Sequence, residues 1–509
     1  MNPGAWIKAE QKRREIQVRF ASDHDEDTAC EALRKIAAKV PDLLSIQLDL
    51  IAFAARSCEY DLARRIARGL LKNAPENPAV VEQAAAVLAR FGQVDEAVLA
   101  WRRLARNAAH CVSAWTALAR LAERGQRFEE AHGWIQRALQ KNPRDATAHL
   151  VAAGFAMRQG RHDDALIILH PLVEPGLPPA FRYRALYQWG ALHDAVDDYP
   201  AAAAAWQEAK RCVEAAFPRE VAECRILHAR LRSRRQRTLA DLTPERLRRW
   251  KAEPVTASLP PITLLIGHPR SGTTLLEQVL SAHPQVVDID EENAFAVVVR
   301  QHLFRGKSGG SEFDWLESAP PASHALARQD YSRRIAMLRE LRPDTVILDK
   351  NPNLTDFAPY LLKPFPELRL LTARSDPRDI VLSCFRQAVP PDYANISWLN
   401  PAELAADCQG MLAGWERLRD TMGPEGNWME VSYETLCSDF PRTAQTATGF
   451  LGLEWHLDQA NYRQKHSGKY IASPTYDNVR APVHTAAIGR WQNYANLLPH
   501  LFTPWVNHS

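Results

Sequence analysis

The sequence predicts two unlike halves, an N-terminal all-α solenoid and a C-terminal α/β domain built on a parallel sheet. Three observations predict this. Ala29, Ala63, Ala97, Ala131 and Ala165 recur every 34 residues, and a period of that length marks a stacked repeat of helix pairs. Ile262–Ile266 is an uncharged run bounded by Pro261 and Gly267, which fits a strand buried on both faces. Gly267 to Thr274 then reads as a glycine turn opening a helix from Thr273 to Ala282.

At 509 residues the chain exceeds one ordinary core, so more than one domain is expected. We divide it into residues 1–218, the repeat array; 219–258, a basic helix and linker; and 259–509, the α/β domain. A net charge of +3 argues against a nucleic-acid coat. The eight cysteines show no CxxC pair, which points to a reducing compartment without structural zinc. No run reaches the ~18 apolar residues of a membrane span, so the expectation is a cytoplasmic chain with no membrane partner.

Within the array, Pro41, Pro75 and Pro143 fall twelve residues after a repeat alanine. Small Ala85, Ala119, Ala153 and Gly190 fall twelve before one, and bulky Trp101, Ile135, Leu169 and Trp206 four after. Ala202 keeps the phase after a three-residue insertion. This pattern is that of tetratricopeptide repeats, whose concave face takes an extended partner. A protein or peptide is the expected partner; the acceptor of a reaction, a second protomer in a homodimer, or the α/β domain itself would each fit. From Arg225 to Lys251 there are ten Lys/Arg against Asp241 and Glu245. Without interleaved aromatics for base stacking, this reads as a solvated face on a capping helix, helical up to Thr238, and nucleic acid is not expected.

The turn Gly267–Thr274 is P-loop-like, since its amides and the first amides of the following helix converge as an anion site. Thr273 stands where a triphosphatase places its lysine, and the charge sits instead on Arg270 in the order Pro269-Arg270-Ser271-Gly272-Thr273-Thr274. This resembles the 5′-phosphosulfate loop of sulfotransferases, and the following LLEQVLSAHP resembles protein-tyrosine sulfotransferases and their bacterial relatives. The resemblance implies 3′-phosphoadenosine 5′-phosphosulfate (PAPS) as donor, 3′,5′-adenosine bisphosphate (PAP) as product, an acceptor bearing a hydroxyl, and no metal. Arg270, Ser271, Gly272, Thr273 and Thr274 would hold the 5′ end.

Glu291, twenty-one residues beyond Arg270, stands where that family holds the base for the acceptor hydroxyl, with Asp290 and Glu292 as alternatives. Asn293 and Val297 stand near the places of the arginines with which the tyrosine enzymes read acidic peptide. Residues 301–343 read as an irregular loop followed by a helix from Ser323.

Thr345–Asp349 reads as a second strand, and Lys350 after it resembles the lysine that approaches the sulfuryl group. Charge developing on the bridging oxygen would be stabilised there. Leu368–Thr372 reads as a third strand, followed by the expected 3′-phosphate site. Ser383 matches its serine, but Ser375 stands eight residues earlier where an arginine is expected, leaving Arg374 or Arg378 to supply the charge. After a strand at Trp428–Ser432, Tyr433 is implied near the adenine. Thr475 and Arg490 lie in a segment resembling the one that closes over the donor. Two rivals remain: a P-loop phosphotransferase or NTPase using Asp349 and magnesium, and a non-catalytic tetratricopeptide adaptor.

Overall fold

The computed structural model describes residues 3–23, 26–254, 258–307, 309–388, 390–465 and 483–506. Five antiparallel helix pairs form the core of the array: Leu44–Arg56 with Tyr60–Asn73, Pro78–Arg90 with Val94–Leu104, Cys111–Arg124 with Phe128–Lys141, Ala146–Arg158 with His162–Val173, and Pro179–Ala195 with Tyr199–Ala216. Ala63, Ala97, Ala131, Ala165 and Ala202 each take the fourth position of a second helix, and all are buried. Gly190 shows why that contact demands small residues. A Cβ there would lie 2.3 Å from Nε1 of Trp206. The turn inside each pair also keeps phase, placing one left-handed residue at Cys58, Gly92, Gln126, Gly160 and Asp197.

The chain then runs through helices Pro218–Asp241 and Pro244–Ala252. Part of their charge is a solvated face, with Arg225, Arg230, Arg237, Arg248 and Lys251 exposed, and part is not. Arg235 is buried between Asp356 (3.1 Å) and Asp407 (2.7 Å), Arg234 pairs with Glu312 and Arg246 with Glu317, so these helices buttress the α/β domain.

Five parallel strands follow: β1 (Ile262–Ile266), β2 (Val286–Asp290), β3 (Val346–Lys350), β4 (Arg369–Arg374) and β5 (Trp428–Ser432), in the order β2-β3-β1-β4-β5. The alternation of a strand splits the core in two. Leu264, Ile266, Ile347 and Leu370 face a layer containing Phe295 and Phe365 that is continuous with the first repeats. Leu265, Leu348 and Leu371 face the helix Thr273–Ser281. The stretch 301–343 is more regular than expected, with a π-helical turn at Arg300–Phe304 and helices Glu312–Ser318 and Pro321–Leu338.

Both ends of the array dock on this domain. At the near end Arg334 donates to the carbonyls of Ser57 (2.7 Å) and Cys58 (2.9 Å). At the far end Asp194 pairs with Arg386 (3.1 Å) and Arg490 (2.8 Å) and accepts from the Tyr494 hydroxyl. One partner of the repeats is therefore the chain's own α/β domain.

Candidate active site

The carboxyl ends of the parallel strands meet at one edge, where open α/β sheets bind ligands. At the end of β1 the glycine turn is held by backbone constraints. Gly267 has φ 138°, and a Cβ there would lie 2.4 Å from the carbonyl oxygen of Ala373. Gly272 has φ 95°, and a Cβ would strike the Tyr433 ring at 2.6 Å. Tyr433 thus packs directly on the loop, from the helix Tyr433–Ser438 that follows β5. Gly272 precedes the helix Thr273–Ser281, which no side chain caps, so its first amides and the positive dipole end remain available. Thr273 is buried and Thr274 half-buried in its first turn.

Arg270 has φ 77°, a conformation costly for a residue with a Cβ. Its Nε donates to Ser383 Oγ at 3.0 Å, so the two places implied for the donor's phosphates are already joined. No carboxylate among the described residues forms an ion pair with Arg270, and burial lowers its pKa. Beside it, Ser271 Oγ is buried without a hydrogen-bond partner. An uncompensated cation, an orphaned hydroxyl and an uncapped helix on one turn make an anion receptor.

The opposite charge collects at β2. The strand itself was not expected, because DID reads as an acidic turn and only part of this edge strand is buried. Glu291 follows with φ 53°, its amide donating to the Lys350 carbonyl at 2.8 Å. The three acids go three ways. Asp290 Oδ1 lies 2.6 Å from Lys350 Nζ. Glu292, buried, is held by Arg90 at 3.1 and 3.0 Å and by the Tyr60 hydroxyl at 3.2 Å, both from the array. Glu291 lies 2.8 Å from Lys350 and is the most exposed of the three, at 43%. Lys350 is fully buried and also lies 3.5 Å from Glu277 of the loop helix. Burial opposes its charge, but Glu277, Asp290 and Glu291 outweigh it and raise its pKa above the ordinary lysine value.

Asp349 points to the other face of the sheet. It accepts the Tyr331 hydroxyl at 2.9 Å, and burial pushes its carboxyl up to about 8. It lies in the layer of Phe295, on whose ring Tyr331 stacks.

The remaining positions separate. Arg374 pairs with Glu430 (3.0 Å) and Glu416 (3.1 Å). Arg378 pairs with Asp376 at 2.8 Å and lies 4.0 Å over the Trp491 ring. Arg490 is turned toward Asp194 of the array. Thr475 lies outside the described residues. Sequence reasoning missed Arg386, which is three residues beyond Ser383 and acts electrostatically on Arg270. The i, i+3 spacing of a serine and an arginine on one helix was the available signal. Asp379, also missed, accepts the amides of Gly489 (2.6 Å) and Trp491 (2.9 Å), tying the C-terminal segment to this helix.

Known proteins resemble this chain in both halves. A model described as sulfotransferase family matches residues 261–457, and one described as tetratricopeptide repeat matches 82–143 and 116–169. Residues 261–457 are a sulfotransferase-family domain. The chain is 23% identical over 273 residues to an uncharacterized protein of Aquifex aeolicus, covering 52% of this chain and 34% of that one. It is 25% identical over 244 residues to protein-tyrosine sulfotransferase 1 of Danio rerio, covering 45% and 65%. It thus spans about a third of the first relative's length and just under two thirds of the second's. Among solved structures, the sulfotransferase domain of the Synechococcus PCC 7002 olefin synthase matches with a TM-score of 0.34 and 20% identity, over 47% of this chain and 90% of that one. No helix among the described residues is long and apolar enough to cross a membrane.

Proposed function

We propose that the sulfotransferase domain moves a sulfuryl group from PAPS to an acceptor hydroxyl, releasing PAP. The observation that carries this reading is Arg270, a cation inside the glycine turn with no ion-pair partner among the described residues, set beside the Ser271 hydroxyl, which has no partner among them either. Arg270, Ser271, Gly272, Thr273 and Thr274 hold the 5′-phosphosulfate. Ser383 holds the 3′-phosphate with an arginine from its own helix or the preceding loop; Arg374, Arg378 and Arg386 are each paired to an acid, and Arg386 is the one whose charge acts on Arg270. Tyr433 offers its ring beside Gly272.

Glu291 takes the proton of the attacking hydroxyl, since it is the most exposed of the three acids. Lys350 orients Glu291 and sets positive charge between the acidic turn and the loop helix, where charge develops on the leaving side. A protein tyrosine is the acceptor favoured by the relatives' names. Labelled-sulfate transfer from PAPS tests this. Label should pass to a hydroxyl-bearing acceptor without added magnesium, and label that stays on the donor with phenolic, sugar and alcohol acceptors alike would overturn the reading.

A further inference from the structure

The first helix of four successive pairs ends on an arginine, and the four are 34 residues apart: Arg56, Arg90, Arg124 and Arg158. Complementarity to the helix dipole explains a cation somewhere in a last turn, but not one held in a single phase. Two rungs show what the row can grip. Arg90 takes the Glu292 carboxylate with two nitrogens, and Arg158 pairs with Glu123. Arg120, one turn before Arg124, adds charge to the same face, with Arg184 within its electrostatic reach.

Arg56, Arg120 and Arg184 are exposed, and none forms an ion pair among the described residues. Surrounding protein nevertheless desolvates Arg56 and Arg120 and lowers their pKa, despite Glu26 near the first and Glu82 near the second. The row also has a fixed relation to the site, because the partner of Arg90 is the residue next to Glu291.

We propose that this arginine row is a docking surface for an acidic polypeptide segment, laid extended across the first helices of the repeats with one end beside the turn that carries Glu291. Carboxylates are the ligands that Arg90 and Arg158 already hold, and Arg56, Arg120 and Arg184, exposed on the first helices of three pairs, offer an extended acidic chain further cations. The surface lies on the repeats, outside the sulfotransferase domain. Delivery of a hydroxyl to Glu291 rests on the sulfuryl-transfer reading; the docking does not.

The test is fluorescence anisotropy of a labelled oligoglutamate on the full chain at low salt, beside an oligonucleotide of equal net charge. Oligoglutamate should bind and weaken as salt rises. Arg120→Glu with Arg184→Glu should weaken it at least about tenfold and leave PAP binding unchanged. Arg68→Glu with Arg102→Glu, on the second helices where these residues pair with Glu96 and Glu130, should change it much less. A thermal melt checks folding, and Arg120→Gln with Arg184→Gln replaces the reversal if the melt collapses. No oligoglutamate binding, equal loss in both double variants, or tighter binding of the oligonucleotide would each overturn the proposal. Because PAP binding is read separately, loss of the donor reading alone leaves this result standing.

Discussion

Two turns at the carboxyl edge of the sheet use the same backbone device for opposite ends. Arg270 after β1 and Glu291 after β2 both sit in the left-handed region, at φ 77° and 53°, which costs about 1–2 kcal/mol for a residue with a Cβ. Strain of this kind persists where the surroundings over-determine it, as functional sites do. The charges are then treated differently. At β1 the cation has no ion-pair partner among the described residues, whereas at β2 Asp290 and Glu291 meet Lys350 and Glu292 meets Arg90. One turn is prepared for an incoming anion. The other is balanced, with Glu291 the most open to solvent of its three acids.

The largest expected effect separates the two turns. Glu291→Gln should lower sulfuryl transfer about 100-fold or more while leaving calorimetric PAP binding intact; unchanged turnover would assign the base elsewhere. Next, Arg90→Ala leaves Glu292 buried without its cation, and a urea melt should show a loss of about 3 kcal/mol. Loss of transfer with no loss of stability would show that Arg90 serves the reaction rather than the balance of the acidic turn.

A pH effect belongs to the strand beneath Lys350. The Asp349 carboxyl, raised to about 8, stays protonated in the folded chain, while the unfolded chain releases its proton near the ordinary value of about 4. The folded state then binds more protons between these values, so Asp349 makes stability fall as pH rises through the window. Asp349→Asn should flatten the decline in urea melts at pH steps across that range, and an unchanged slope would place its origin in other groups. The smallest effect lies at the far end of the array, whose Asp194 holds Arg386 near the anion turn. Gly190→Ala pushes a methyl into the Trp206 ring and should cost about 1–3 kcal/mol, read as a lower melting temperature with PAP binding retained.

Much of the fold was legible because its signals are periodic or local. The 34-residue alanine interval located the helix pairs, an apolar run bounded by proline and glycine located β1, and the stretches 345–349, 368–372 and 428–432 fall on β3, β4 and β5. β2 was not legible, since a half-buried edge strand carrying two aspartates has no alternation to separate it from an acidic turn. In the basic segment 225–251 the exposed cations fit the expected solvated face, but charge counts do not reveal that Asp356 and Asp407 wait in two other elements for Arg235. At the site, the loop spacing singled out Arg270, but its contact with Ser383 spans 113 residues of chain. The sorting of Asp290, Glu291 and Glu292 depended on Lys350, Arg90 and Tyr60, which come from the sheet and from two repeats.

The most direct measurement is calorimetric titration of the full chain and of Arg270→Ala with PAP, in the absence of magnesium, with ATP plus magnesium as the competitor. The account predicts nanomolar to micromolar PAP binding to the unaltered chain and a loss of roughly 100-fold, about 3 kcal/mol, in the variant. Preference for ATP with magnesium, or equal PAP affinity in both proteins, would contradict it.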